Sequence, residues 1–173
     1  MLSSMIVNFI LLVPVTALIT YYDVRFRRIP NAFVLATLLS GLILNINGGW
    51  EGIVASLKGG AFAFGLMLAL HIFSAMGAGD VKLFGAIGSV IGVTSVFKTF
   101  LVVLITGGVL AVIVSIRNGK LCETWHRVLL IFINLFSGWQ PPRFPAPEDR
   151  QATIPYGVAI TVGTLISLTI FRQ

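Results

Sequence analysis

Apolar residues occur in long runs along the chain, and short polar or glycine-rich segments separate these runs. A helix needs about 20 apolar residues to cross a bilayer. The runs predict six transmembrane helices, at about Ser3–Tyr21, Asn31–Ile46, Ile53–Ser74, Val81–Val93, Phe97–Ile116 and Ile154–Phe171. The first run lacks the basic start of a signal peptide, so we interpret it as a retained span. The pattern is typical of an all-α membrane protein, and we expect residues 1–173 to form a single membrane domain.

The composition supports a membrane environment. Hydrophobic residues make up 57% of the chain, charged residues make up 10%, and the mean hydropathy is +0.98. These are too few polar side chains to cover a water-soluble globule, so lipid is the expected solvent. The net charge is +6, but no basic segment interleaved with aromatic residues is present, so we expect no nucleic-acid partner. Cys122 stands alone, which excludes an internal disulfide and a multi-cysteine zinc site. We expect neither a metal nor a cofactor.

A long segment, 117–153, separates the last two predicted spans. Its end, "GWQPPRFPAPEDRQATIP", is rich in proline and charge, which is typical of a water-facing loop. Its front, "ETWHRVLLIFINLFSGW", contains an apolar run at 128–133 that is too short to span a bilayer. We therefore favour an interfacial helix within a cytoplasmic loop over a seventh span.

The distribution of basic residues predicts the orientation. Most Lys and Arg fall in the loops on one side of the six predicted spans. The positive-inside rule makes this side cytoplasmic and puts both termini outside. Four basic residues near this face are interpreted as topology anchors on anionic lipid: Arg25, Arg27, Arg28 and Lys82. Two acidic residues, Asp23 and Asp80, are expected to reach the same cytoplasmic face.

The two acids have similar surroundings, Asp-Val-Arg at Asp23 and Asp-Val-Lys at Asp80. Residues two apart on a helix point in different directions, so the cation can extend toward headgroups while the carboxylate turns into the bundle. A carboxylate near the hydrocarbon boundary costs free energy, so a function is the default explanation. Two neighbouring carboxylates share a proton, so one can activate water while the other protonates a peptide carbonyl, as in aspartic proteases.

Glycines surround Asp80 in "MGAGDVKLFGAIG". Gly77 and Gly79 leave the backbone bare just before the acid, which would let an extended substrate approach or the helix start unwound. Three further glycines follow at spacings of three and four, which predicts one thin helix face for close packing. They are Gly85, Gly88 and Gly92.

Together these residues resemble a known family. "GAGDVKLFGAIG" resembles the Gly-x-Gly-Asp motif of the type IV prepilin peptidases, which are intramembrane aspartic proteases. "DVRFRRIPN" resembles the segment that carries their first catalytic aspartate, and "IPYGVAI" is similar to the start of their last span. The resemblance covers the whole chain. It implies that Asp23 and Asp80 are the catalytic pair and that Gly77 and Gly79 are the motif glycines.

The resemblance also implies a substrate and a location. The substrate would be the N-terminal leader of a prepilin or pseudopilin, cleaved at the cytoplasmic face of the bacterial inner membrane by a multi-pass enzyme of pilus biogenesis and protein secretion. Larger members carry a cytoplasmic insertion with paired Cys-x-x-Cys motifs and also methylate the new N-terminus. This chain has one cysteine. It therefore resembles the compact branch of tight-adherence (Flp-type) pili, and we expect no N-methyltransferase activity.

Two alternatives stay open. A presenilin-like or archaeal preflagellin-type protease could use the same two acids on another substrate. A small transporter could use Asp23 and Asp80 to relay protons or to bind a cation. Both acids are expected at one face, without a chain of ionisable groups across the membrane, which disfavours transport. His71 is the feature that favours it, although a packed, hydrogen-bonded histidine is the commoner case.

Overall fold

A computed structural model describes residues 2–26, 28–72, 77–117, 119 and 156–171. These residues form six α-helices and a 3-10 turn at Ile46–Gly48, and they contain no strand. The helices are α1 Leu2–Phe26, α2 Asn31–Asn45, α3 Gly49–Ile72, α4 Ala78–Ile91, α5 Val93–Arg117 and α6 Tyr156–Ile170. The expected all-α class is therefore confirmed for this part of the chain. The predicted interfacial helix and nearly all of the predicted loop at 117–153 lie outside the described residues.

The six helices coincide with the six apolar runs, but four of them extend beyond the predicted ends, among them α5, which begins at Val93 instead of about Phe97. α1 continues to Phe26, which puts Asp23 inside its last turns. α3 begins before the expected Ile53, because the 3-10 turn leads directly into it and Glu51 in its first turn favours a helix N-terminus. α4 begins at Ala78, so that Asp80 lies within its first turn.

Two stretches of the described chain are long and apolar enough to cross a membrane, at 31–72 and 93–117, and 156–170 is a shorter apolar helix. Many large apolar side chains also point outward. Trp50 is 77% exposed and Ile105 is 68% exposed. Lipid solvates such side chains, whereas a water-soluble bundle rarely leaves so many of them uncovered. These features fit a membrane protein, and the number of spans and the outside termini stay predictions.

α4 lies at the centre of the described helices. It contacts α2, α3, α5 and α6. From Asp80 to Val90 every side chain is buried except that of Lys82. The packing of α4 therefore holds Asp80 in a fixed place at one end of the bundle.

Glycines bring α3 and α4 into close contact, as their spacing predicts. A Cβ built at Gly88 would lie 2.4 Å from the Cβ of Ala63 and 2.6 Å from the carbonyl oxygen of Gly59. A Cβ at Gly85 would lie 3.2 Å from the Cβ of Phe64. The predicted packing role is thus confirmed for Gly85 and Gly88.

Gly92 also lies against α3, as its spacing predicts, because a Cβ built at Gly59 would lie 3.1 Å from the Cα of Gly92. It has a second role at the end of α4. It follows the last residue of α4 with a φ of 75°, and a Cβ built there would meet nothing within 4 Å. Glycine adopts this left-handed conformation without a steric penalty, so Gly92 ends the helix. Periodicity alone did not reveal this, because the helix stops one residue before Gly92.

We expect Gly88→Val to destabilise the fold, because the added carbons would force α3 and α4 apart. Overpacking of this kind costs about 1–3 kcal/mol. The measurement is the midpoint of thermal unfolding in detergent. Gly65→Val is the matched control, since a Cβ at Gly65 would meet nothing within 4 Å. Equal midpoints for the two variants would contradict close α3–α4 packing.

α6 runs antiparallel to both α1 and α5, and hydroxyl pairs fix its position. The hydroxyls of Thr20 and Thr161 are 2.7 Å apart, which joins α1 to α6. The hydroxyls of Thr99 and Ser167 are 2.8 Å apart, which joins α5 to α6. Such bonds between helices are a common means of association in membranes. Through them the start of α6 is brought to the end of α1.

Candidate functional site

Asp23 is held near the C-terminal end of α1. Its side chain is only 7% exposed. The neighbouring Tyr22 packs edge-to-face against Phe33 of α2 with ring centroids 5.2 Å apart, which anchors this end of α1. The backbone of α6 lies directly against the acid. A Cβ built at Gly157 would lie 2.7 Å from Oδ2 of Asp23 and 2.9 Å from its Cγ.

Asp80 lies in the first turn of α4 and is 9% exposed. The backbone N–H of Gly77 donates to Oδ2 of Asp80 over 3.2 Å, and the N–H of Asp80 donates to the carbonyl oxygen of Gly77 over 3.1 Å. An acid in the first turn of a helix also interacts favourably with the helix dipole. Local backbone contacts therefore orient this carboxylate.

The structure brings Asp23 and Asp80 to the same end of the bundle, as the sequence predicts. They lie close enough for their charges to interact. Because like charges repel, two such buried carboxylates favour a state in which they hold one proton between them. One member of the Asp23–Asp80 pair can then accept a proton while the other donates one. This is the chemistry of a general base and a general acid.

The two predicted motif glycines occupy different positions. Gly77 has an extended backbone, with φ at −75° and ψ at 150°. A Cβ there would lie 3.2 Å from Oδ2 of Asp80, so glycine leaves room for the hydrogen bond to that acid. At Gly79 a Cβ would lie 3.7 Å from the Cβ of Ile29, which is an ordinary contact. Packing therefore does not require glycine at position 79, and substrate approach stays a prediction for it.

The basic residues near the site differ from the acids in exposure. Arg25, Arg28 and Lys82 are exposed, whereas Asp23 and Asp80 are buried. For Arg25 beside Asp23 and Lys82 beside Asp80, this difference in exposure is expected, because residues two apart on a helix point in different directions. Their role as topology anchors stays a prediction. Arg27 lies outside the described residues.

Three residues near the pair received no catalytic role from the sequence. Gly157 lies against Asp23. Tyr156 and His71 each lie within electrostatic range of Asp80. The sequence does offer one sign of Tyr156 and Gly157. An aromatic residue followed by glycine begins the last apolar run, at the predicted membrane depth of the two acids. The described residues contain no group of three or more His, Cys, Asp or Glu side chains that could hold a metal ion.

Comparison with known proteins connects this site to leader peptidases. The profile described as "Type IV leader peptidase family" matches residues 10–112, a range that includes Asp23 and Asp80. The chain is similar to the prepilin leader peptidase/N-methyltransferase of Neisseria gonorrhoeae, with 25% identity over 109 residues. The matched region covers 59% of this chain and 38% of that relative. No solved structure matches.

Proposed function

Because the chain belongs to the type IV leader peptidase family, we propose that it is an aspartic endopeptidase that removes the N-terminal leader of prepilins or pseudopilins. The observation that carries this proposal is the Asp23–Asp80 pair. Both acids fall within the family match, both are buried, and their charges interact. No other pair of acids in the described residues has these properties.

The pair accounts for peptide hydrolysis without a covalent intermediate. The ionised carboxylate takes a proton from a water molecule as the water oxygen attacks the carbonyl carbon of the scissile bond. The protonated carboxyl donates its proton to the carbonyl oxygen. When the tetrahedral intermediate collapses, the C–N bond breaks, and the leaving nitrogen takes a proton from the carboxyl group that had accepted one from the water. The carboxylate that had protonated the carbonyl oxygen takes that proton back as the C=O bond re-forms, so the pair ends in its starting state.

We place the site at the cytoplasmic face of a six-span protein in the bacterial inner membrane. The uneven distribution of Lys and Arg supports this orientation. In this arrangement residues 1–173 form one peptidase domain, residues 117–153 form a cytoplasmic loop, and both termini lie outside. A leader held in the cytoplasm would then meet the acids at the depth where its hydrophobic segment enters the lipid.

We further propose that the chain belongs to the compact, Flp-type branch and does not methylate its product. The support lies between α1 and α2. α1 ends at Phe26 and α2 begins at Asn31, which leaves no room there for an inserted domain. The chain also has a single cysteine, Cys122, so it cannot form the paired Cys-x-x-Cys motifs of the larger members.

A substrate exchange in membranes tests the proposed function. Vesicles that contain the chain would be mixed in turn with a prepilin, a preflagellin and a presenilin-type substrate, and the products would be resolved by mass. We expect cleavage of the prepilin alone, at one bond just before its hydrophobic segment. Cleavage of only another substrate would reassign the protease. Ion flux in proteoliposomes without any cleavage would favour the transporter.

Lys82→Ala is expected to retain most of the cleavage activity. The Lys82 side chain is exposed, whereas Asp80 is buried. Loss of a surface anchor changes orientation or expression more than chemistry. The measurement is the initial cleavage rate per folded molecule in detergent. A loss as complete as that of Asp80→Asn would show that Lys82 takes part in the reaction.

A further inference from the structure

The first turn of α6 lies against Asp23 and within electrostatic range of Asp80, and the proposed mechanism gives it no task. We propose that Gly157 is a positioning residue for Asp23, an inference that rests on the proposed function. The bare backbone at Gly157 forms a wall that fixes the direction of the Asp23 carboxylate.

The contact involves most of the Asp23 side chain. A Cβ built at Gly157 would lie 2.7 Å from Oδ2, 2.9 Å from Cγ and 3.2 Å from Cβ of Asp23. The Cβ of Asp23 belongs to a packed helix and cannot retreat by itself, whereas its carboxylate can rotate about χ1. A methyl group at position 157 would therefore turn the carboxylate away from its present direction, whereas its contact with the Cβ of Asp23 requires the helices to give by only a few tenths of an ångström.

The structure explains the glycine at position 157 by the lack of room for a side chain beside Asp23, and not by backbone conformation. Gly157 lies within α6, and it is not among the described glycines with positive φ. An alanine would fit the helical backbone here without strain. Substitution of Gly157 by alanine thus tests the contact with Asp23 and not the conformation of the chain.

Contacts outside the site hold the backbone at Gly157 in a fixed position relative to Asp23. The Thr20–Thr161 hydroxyl pair lies about one helical turn from both Asp23 and Gly157 in the antiparallel α1–α6 pair. On the other side, a Cβ at Gly163 would lie 2.8 Å from the Cα of Val103 in α5. α6 is therefore fixed against two helices, and its first turn cannot shift freely relative to the acid.

Tyr156, on the same turn, lies within electrostatic range of Asp80. The start of α6 thus contacts Asp23 through Gly157 and interacts electrostatically with Asp80 through Tyr156. Proton transfer requires the acids to lie within hydrogen-bond reach of the water and the carbonyl oxygen. An element that fixes the direction of one carboxylate acts on the rate of the reaction through that acid.

Gly157→Ala is the first test. We expect kcat for prepilin cleavage to fall roughly 100-fold, the usual cost of a displacement of about 1 Å in a catalytic group. KM and the midpoint of thermal unfolding should stay near the parental values, because the methyl group displaces a carboxylate and not a helix.

Two alanine variants serve as controls. Gly108→Ala should match the parent in kcat, KM and unfolding midpoint, because a Cβ at Gly108 would meet nothing within 4 Å. Gly163→Ala should lower mainly the unfolding midpoint, because its Cβ would press on the backbone of α5 at Val103. A Gly157→Ala variant that behaves like Gly163→Ala, with lost stability and parental kcat per folded molecule, would overturn the inference.

A second pair of variants tests the register if Gly157→Ala does not fold. Thr161→Val removes the hydroxyl that pairs with Thr20 and keeps the shape, whereas Thr161→Ser keeps the hydroxyl. We expect kcat per folded molecule to fall in Thr161→Val and to stay near the parental value in Thr161→Ser. Equal kcat values for the two variants would contradict a role of the α1–α6 register.

The experiment separates this inference from the proposed function. If the parent cleaves a prepilin, Asp23→Asn does not, and Gly157→Ala cleaves at the parental kcat, the inference is wrong and the proposed function stands. If the parent cleaves no prepilin, the proposed function fails and the inference fails with it.

Discussion

Asp23→Asn and Asp80→Asn are each expected to abolish leader cleavage while expression and membrane insertion stay at the parental level. The amide keeps the volume of the carboxyl group but cannot exchange the proton. Loss of general acid or base catalysis costs about 10²–10⁴-fold in rate. The measurement is the conversion of a prepilin to its shorter product in membranes, with the amount of inserted enzyme determined by immunoblot.

Asparagine also separates chemistry from structure at Asp80. Its side-chain oxygen can still accept the hydrogen bond that Gly77 donates to Asp80. The first turn of α4 therefore keeps its local contact in Asp80→Asn, whereas Asp80→Ala loses the contact and the proton. We expect both variants to be inactive and only Asp80→Ala to unfold at a lower temperature. Substantial turnover by either asparagine variant would exclude the Asp23–Asp80 pair as the catalytic machinery.

Gly79→Val is expected to remove activity while the protein still folds. Gly79 lies in the first turn of α4, directly before Asp80. A branched side chain would cover the backbone there and block an extended substrate. It would also press on Ile29, because even a Cβ at Gly79 would lie 3.7 Å from the Cβ of that residue. The measurement is the cleavage rate per folded molecule in detergent, with folding judged by size-exclusion chromatography.

Gly65→Val and Gly79→Ala are the controls for this prediction. Gly65 is also helical, and a side chain there would meet nothing within 4 Å, so Gly65→Val should cleave at the parental rate. Gly79→Ala should fold normally, because its Cβ would make only ordinary contact, and any loss of rate would then report on substrate approach. Normal cleavage by Gly79→Val would show that substrate binding does not need a bare backbone before Asp80.

The sequence predicted the helices and the meeting of the two acids for clear physical reasons. The apolar runs are continuous, and the basic residues near Asp23 and Asp80 predict one membrane face for both. The opposite directions of Asp80 and Lys82 followed from helical geometry. These inferences need only local sequence and the bilayer. The structure agrees with the helices and with the meeting of the two acids in the described residues, and their membrane face stays a prediction.

The remaining features depend on tertiary contacts. The start of α3 at Gly49 depends on the 3-10 turn at Ile46–Gly48, which a glycine-rich segment does not reveal. Gly157 is far from Asp23 in the chain, and its contact exists only because α6 docks against α1. Gly92 shares the spacing of Gly85 and Gly88 and packs against α3 as they do, but its positive φ also ends α4, which spacing does not reveal. Periodicity identifies small residues and does not specify which neighbour each of them meets.

Cleavage by the purified protein after removal of metal ions tests most directly whether two aspartates carry the reaction. The protein in detergent would be dialysed against a chelator and mixed with a prepilin, beside the untreated protein and the double variant Asp23→Asn/Asp80→Asn. We predict equal initial rates before and after chelation and no product from the double variant. Loss of activity on chelation that is restored by a divalent cation, or product formation by the double variant, would contradict an aspartic mechanism at Asp23 and Asp80.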